Sequence, residues 1–511
     1  NPVFITGRMA VGLLLGVVSG WAQSSPPRFT LEEAVKTAIE KSPVVQINRE
    51  EVSRREGLTQ QASGQFDWTA SAAATETTQR IPVFTPFGDV AVASGSYTIY
   101  SADVAREFRN GIVVEPSVEN IVGLSTTPPT GPAYGSSTLS LQIMVPLLKG
   151  LGKDDTGAAE AAARGDVETA RLLYRSSLEQ QALSVATAYW TARAAVATYE
   201  VSREDEQRAK KFDEGVRTLV DTRVFPPNLL LQSEANLKEK STATHEAELT
   251  MLDAGFGLGR ILGLSAVDLP TAPLPDQEMP QDAFLDGLHI DDASRPQWIE
   301  RALLHRSDYL AQRQSEVPLR ILRRQAQLEL KPSLGLTLGG GYAGLNRGNN
   351  LIDPLSRNLT GLNGQVGLAL AWPVENNYQV GLLRTRSAAL RQDELNTAQT
   401  QADVAADVCS ALAEVRLRAE TMANATATEK IARTAADQER RQLKSGEATV
   451  LDVINLENLL TEAQQDKISA QAGYAIAVAS LRYAVGEIFT SDDSHKSFQL
   501  TDLTQVPADE K

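Results

Sequence analysis

Two periodicities divide this chain. Over residues 66–75, Phe66, Trp68 and small apolar residues take one set of alternate positions, and Asp67, Thr69, Ser71 and Thr75 take the other. That is the pattern of a strand with one apolar face. It returns at 136–146, where Leu139, Leu141, Ile143 and Val145 alternate with Thr138, Ser140 and Gln142. It returns again at 333–342 (Leu334, Leu336, Leu338 and Tyr342 against Ser333, Gly335 and Thr337) and at 362–372 (Leu362, Val366, Leu368, Leu370 and Trp372 against Asn363, Gln365 and Gly367). Each segment has the length a tilted strand needs to cross a bilayer, about ten residues. Prolines at 146, 332 and 373 mark junctions with helices, and Trp68 and Trp372 stand at the same ends, where membrane-interface aromatics belong.

Between the strand pairs run long Ala-rich stretches dense in Glu, Gln, Arg and Asp, each roughly 90–100 Å as a helix. Both fold into helical hairpins, at 150–262 and 377–486. In the second, Gly446 ends one helix in the left-handed conformation and Thr449 caps the next. The first contains a similar run, Gly215, Thr218 and Asp221, which places its turn at Gly215. A helix from Leu31 to about Gly64, capped by Thr30 with Glu32 and Glu33 in its first turn, precedes the first strand. Ser42, Glu51, Val52 and Gln60 reappear as Ser307, Glu316, Val317 and Gln325 at a constant offset.

The chain is therefore an internal repeat. The first copy spans 23–262, a Pro-rich linker spans 263–292, the second copy spans 293–488, and 489–511 is a polar tail. The copies differ mainly between their paired strands, where the first carries a long insert, 79–134. Its alternating pieces around Arg109-Asn110-Gly111 read as an additional hairpin, standing above the sheet or adding strands to it.

The chain has 511 residues, a formal net charge of −15 and one cysteine, so neither a nucleic-acid partner nor a disulfide framework fits. Arg8, the apolar run from Ala10 to Val18 and the small residues Gly20 and Ala22 form a secretory signal, residues 1–22, with cleavage before Gln23. Beyond it no apolar run is long enough for a membrane helix. A membrane role then requires a barrel, and four strands cannot close one alone, so several copies must share it. The four histidines show no metal-ligand spacing, Gly255, Gly257 and Gly259 lack the preceding strand of a dinucleotide site, and no catalytic constellation, cofactor site or metal site emerges. The two readings that stand are an export duct and a periplasmic coiled-coil scaffold without a pore.

Signal, helix, strand, loop, strand, long helix, turn and helix, all repeated, resembles the TolC family of outer-membrane efflux proteins. The motifs closest to that family are Thr30-Leu31-Glu32-Glu33-Ala34-Val35, Val145-Pro146-Leu147-Leu148-Lys149-Gly150 and Gly446-Glu447-Ala448-Thr449-Val450-Leu451-Asp452-Val453. The resemblance implies a mainly α fold with a small β part: a homotrimer in which each chain gives four strands to a 12-stranded barrel, continued by an α-barrel through the periplasm. It implies a non-enzymatic exit duct of a tripartite efflux pump or type I secretion system. Its partners would be outer-membrane lipid, a periplasmic adaptor and an inner-membrane transporter of RND, ABC or MFS type. It places the periplasmic gate at Asp452, with Asn455 where relatives often carry a second acid, Ala448 where they carry a basic lock residue, and Asp221 as the acid of the first turn.

Overall fold

The computed structural model describes residues 28–126, 134–224, 226–269, 273–281, 294–347, 359–491 and 498–500, with 503, 505 and 507. The signal at 1–22 lies outside them. A two-residue strand, Arg28–Phe29 (β1), leads to α1, Leu31–Lys41. The Thr30 hydroxyl accepts from Glu33 N–H at 3.3 Å, and the Glu33 carboxylate accepts from Thr30 N–H at 3.0 Å, a capping box that satisfies two otherwise unpaired donors.

The continuous helix expected to about Gly64 is in fact two, α1 and α2 (Pro43–Ser63). Pro43 has no N–H to donate to the preceding turn and forces Ser42 out of helical geometry, to ψ 124°. The second repeat breaks at the corresponding place without proline, at Arg306 between α5 (Arg295–His305) and α6 (Ser307–Leu328).

The long helices are α3, Ala158–Asp221, and α7, Asn377–Ser445, returning through α4, Pro227–Ile261, and α8, Val450–Val485. Each return helix closes on a glycine with positive φ, Gly263 (74°) and Gly486 (80°). A Cβ on Gly263 would lie 2.7 Å from the Lys41 carbonyl oxygen, and one on Gly486 would lie 2.7 Å from Arg306 N. Each glycine is thus required twice, by its φ and by the backbone of the broken helix pressed against it. Around these seams lies the core. Leu31, Val35 and Ala38 of α1 pack with Ala182, Val185, Tyr189 and Trp190 of α3 and Ala475 and Ala479 of α8. Trp298 of α5 packs with Val404, Val408 and Leu412 of α7 and Val478 and Leu481 of α8. The alanines let the helix axes approach closely.

Part of the linker is built in: Leu274–Pro275 (β6) pairs parallel with β1, and the Tyr189 hydroxyl donates to the Phe29 carbonyl and accepts from Gln277 N–H, both at 3.0 Å. The tail also returns to the body. Phe489–Ser491 (β9) pairs with Phe498–Leu500 (β10), Arg482 donates to the Gln505 carbonyl at 2.6 Å, and Leu503 is buried in the core.

At the far end of the helices six antiparallel strands form one sheet: β2 (Thr69–Phe84), β3 (Val90–Glu107), β4 (Val113–Thr126), β5 (Tyr134–Pro146), β7 (Ser333–Arg347) and β8 (Leu359–Ala371), in that spatial order. Four strands per chain were expected. The four alternating segments all form strands, the first only from Thr69 because Phe66 closes a 3₁₀ turn, and the insert supplies two more between β2 and β5, so the described residues give this sheet six.

Register makes the faces continuous. Ala72, Ala102, Val118, Leu139, Tyr342 and Leu362 form one row across all six strands. The neighbouring row on the other face is Ser71, Asp103, Ser117, Ser140, Gly341 and Asn363. Because side chains alternate, a slip of one residue in any ladder would break both rows. Pro116, which cannot donate, sits at an interruption of the β3–β4 ladder, between the pairs Asp103–Ser117 and Arg106–Val114.

Candidate functional site at the hairpin tips

The second tip is built by local chemistry. Gly446 takes φ 80° and its N–H bonds the Leu443 carbonyl at 3.2 Å, ending α7. Thr449 then starts α8: Asp452 N–H donates to its hydroxyl at 3.2 Å, and Thr449 N–H and Oγ1–H donate to Asp452 Oδ2 at 3.0 and 2.6 Å. The hydrogen bond from the Thr449 side chain, then that from its backbone, holds the Asp452 carboxyl below the ordinary aspartate value. Asp452 and Asn455 are exposed and Ala448 half-buried.

The first tip is built otherwise, and here the sequence reading needs correction. Gly215 is not a turn residue; it lies within α3, with open space where a Cβ would be. The chain reverses after Asp221, through Thr222 and Arg223, and α4 begins at Pro227. Arg223 has φ 63°, a left-handed conformation that costs a non-glycine residue about 1–2 kcal/mol. An isolated glycine in an exposed helix costs only about 1 kcal/mol, so Gly215 need not end anything. Asp221 is exposed, the last residue of α3.

A constant offset of 223 residues relates the two hairpins: Arg223 to Gly446, Pro226 to Thr449, and Gly263 to Gly486. The same offset relates two ion pairs that bridge the arms of each hairpin, Arg217 with Glu234 (2.8 Å) and Arg440 with Glu457. Opposite charges equidistant from a turn meet across an antiparallel hairpin, and this signal locates both turns.

Above the tips the hairpins are held together. Arg208 of α3 reaches Asp205 (3.1 Å) on its own helix, and Glu457 (3.4 Å) and Thr461 (3.3 Å) of α8. Lys240 of α4 pairs with the buried Asp205 at 2.9 Å, and Arg440 of α7 with Glu457. One cluster thus ties four helices. It borders a cavity of about 440 Å³ with a mostly apolar lining that includes Phe212, Val216, Leu443 and Ile454. Nearer the tips Val216, Val450 and Ile454 pack together. Sequence reading missed Asp205, Arg208, Lys240, Arg440 and Glu457, because it sought a basic lock at the position of Ala448.

At the sheet end, Trp68 precedes β2 and Trp372 follows β8, on the two edge strands, at the helix-side rim and in register with the apolar face. Trp68 is 53% exposed and Trp372 71%, so among the described residues neither is fully covered. Arg106 lies 5.4 Å from the Trp68 ring centre and donates to the Phe66 carbonyl at 3.0 Å. Pro146 ends β5, Pro332 immediately precedes β7, and Pro373 follows β8. No helix among the described residues is long and apolar enough to cross a membrane.

Residues 298–487 match the family model described as outer membrane efflux protein. No curated protein sequence matches the chain. Among solved structures the chain is similar to the outer membrane protein VceC from Vibrio cholerae, with 16% identity, a TM-score of 0.65, and coverage of 89% of this chain and 96% of that one. It is similar to the CmeC outer membrane channel of Campylobacter jejuni, with 14% identity, TM-score 0.66 and coverage of 95% and 94%. It is also similar to the open state of the Neisseria gonorrhoeae MtrE outer membrane channel, with 14% identity, TM-score 0.62 and coverage of 89% and 88%. The second half of the chain thus matches the outer membrane efflux protein family over residues 298–487, and the chain carries the fold of TolC-like outer-membrane channels.

Proposed function

We propose that the protein is the outer-membrane exit duct of an efflux pump or type I secretion system, working as a trimer and catalysing no reaction. The observation that carries this reading is the uncovered apolar face of the sheet. Leu362, Val366, Leu368 and Leu370 are each 65–77% exposed on β8, backed by a polar face with Asn363 and Gln365. A soluble scaffold has no use for such a band, whereas lipid on one side and water on the other require both faces. Long helices with charged flanks carry the duct away from the membrane, about 95–105 Å into the periplasm.

The tips with Asp452, Asn455, Ala448 and Asp221 form the periplasmic entrance, and the Arg208 cluster holds the two hairpins of each chain together there. An adaptor protein meets the tips, and an inner-membrane transporter of RND, ABC or MFS type supplies cargo. The test is ion conductance of the purified protein in a planar bilayer, with mass measurement in mild detergent. Discrete channel steps from a species of three chains are expected. A particle that inserts without conducting would leave the scaffold reading in its place.

A further inference from the structure

We infer that the inserted hairpin β3–β4 is a permanent part of the barrel wall, so that three chains close an 18-stranded barrel rather than a 12-stranded one. This rests on the trimeric outer-membrane reading above.

The first support is the ladder itself. β2, β3, β4 and β5 pair in sequence order along most of their length, and β5 continues onto β7 and β8. The two rows traced above keep their character through the insert, on the helix side of Ile99 and Ile121. Ala102 and Val118 continue the apolar band, while Asp103 and Ser117 continue the polar one. Loop strands standing in water outside the membrane would have no reason to match a lipid-facing register.

The second support is the inner turn of the hairpin. β3 runs from the outer end back to the helix end, so the turn 108–112 lies at the periplasmic rim, beside the loop joining β5 to α3. Gly111, at φ 87°, packs so closely that a Cβ would lie 2.0 Å from the Gly150 carbonyl oxygen, and Gly152 N–H donates to the Asn110 carbonyl at 3.1 Å. Arg109 makes a two-point ion pair with Glu160 of α3 (2.7 and 3.0 Å), a carboxylate 6% exposed, and stacks 4.7 Å from the Phe66 ring centre. The hairpin is therefore bolted to the helical body at the far side of the membrane from the cell exterior.

The third is the edges. Among the described residues β2 and β8 are the two edges of the six-stranded sheet, and an open edge in lipid is not tolerated, so β2 of one chain must pair with β8 of the next. Barrel diameter grows about linearly with strand number, and 16–18 strands leave an open aqueous channel. The outer end would be about half again as wide as a 12-stranded duct. Size selection then falls to the helical mouth alone.

The experiment is cysteine pairing in the trimer, with Cys409, the chain's only cysteine, replaced by serine. Thr75→Cys with cysteine at Asn363, Gln365 or Gly367, all on the polar face, should link neighbouring chains in one register. Thr75→Cys with Ser136→Cys should not close, since three strand spacings, about 14 Å, separate them and a disulfide needs Cα atoms within about 7 Å. A strand count by electron cryomicroscopy should give 18, and neutral polymers added from the outer side should enter up to a diameter about 1.5-fold that of a 12-stranded duct. A conducting trimer with 12 wall strands, or a Thr75–Ser136 disulfide within it, would overturn the inference and leave the duct intact. A protein that neither trimerises nor conducts would instead overturn the duct reading.

Discussion

The two repeats are alike in the middle and unlike at both ends. At the middle each return helix closes on a positive-φ glycine, Gly263 or Gly486, seated on the backbone of a broken helix pair. At the membrane end the second repeat joins β7 directly to β8, whereas the first carries β3 and β4 between β2 and β5. At the tips one turn rests on Gly446 and a capping box, the other on a strained Arg223 and two prolines. The shared part is what the helical stack requires, since a side chain at either glycine would push the seam apart. The divergent parts are those that meet something outside the chain. The packing is common to the two repeats, and the ends are where they differ.

The largest expected effect tests the membrane end. Leu368→Arg on β8 and Val118→Arg on the inserted β4 lie on the same apolar face, and each should cost about 2–4 kcal/mol near the bilayer midplane. Gln365→Arg and Gln142→Arg, on the polar face, should be tolerated. Folding titrations into lipid vesicles measure all four. Equal tolerance of Val118→Arg and Gln142→Arg would remove the inserted strands from the lipid-facing wall.

The seams come next. Gly263→Ala and Gly486→Ala each face left-handed strain of about 1–2 kcal/mol, with a methyl forced against backbone in addition. Both should lower the thermal midpoint by similar amounts. A large loss at one and none at the other would show that the two seams are not equivalent.

Smaller differences separate the tips. Thr449→Ala removes the cap of α8 and should cost about 1 kcal/mol. Arg223→Gly relieves the left-handed strain and should gain about 1 kcal/mol, less the entropy of an added glycine. Hydrogen exchange of amides near 223 and 449 reads each locally. A destabilising Arg223→Gly would mean that the Arg223 side chain, not its backbone, holds the first tip.

How legible all this was depends on how local the cause is. The alternating segments, the Thr30 and Thr449 caps and the closing glycine at 486 are set by neighbours within a few residues, and the sequence announces them. The first turn was misplaced because Gly215 imitates Gly446 in a chain where Arg223 performs that part, and no propensity points to an arginine at positive φ. The cluster around Arg208 and Glu457 joins residues some 250 apart, so nothing local marks it. Its hairpin members were within reach, since Arg217 with Glu234 and Arg440 with Glu457 have the same 17-residue spacing about their turns. The insert showed its alternation but not its place, which the Arg109–Glu160 anchor and the ladders decide.

Asp452 is the subtlest case, because the same carboxylate caps a helix and faces the proposed entrance. Three copies in a trimer would bind di- and trivalent cations, so Asp452→Asn should weaken cation block from the periplasmic side and Asn455→Asp should strengthen it. Mutual repulsion among three carboxylates raises their pKa, but within each chain the Thr449 hydrogen bonds act in the opposite direction and lower it. A group with a depressed folded-state pKa contributes stability that is present above its unfolded value and lost as pH falls through the folded value. The cap should therefore keep Asp452 charged, and block in force, as the pH drops to the ordinary aspartate value. In Thr449→Ala the side-chain hydrogen bond, the larger of the two, is gone and only the backbone N–H bond still opposes repulsion, so the midpoint of block should move up in pH. Conductance with a trivalent cation across a pH series compares the two proteins. An unshifted midpoint in Thr449→Ala would show that the blocking carboxylate is not the one that caps α8.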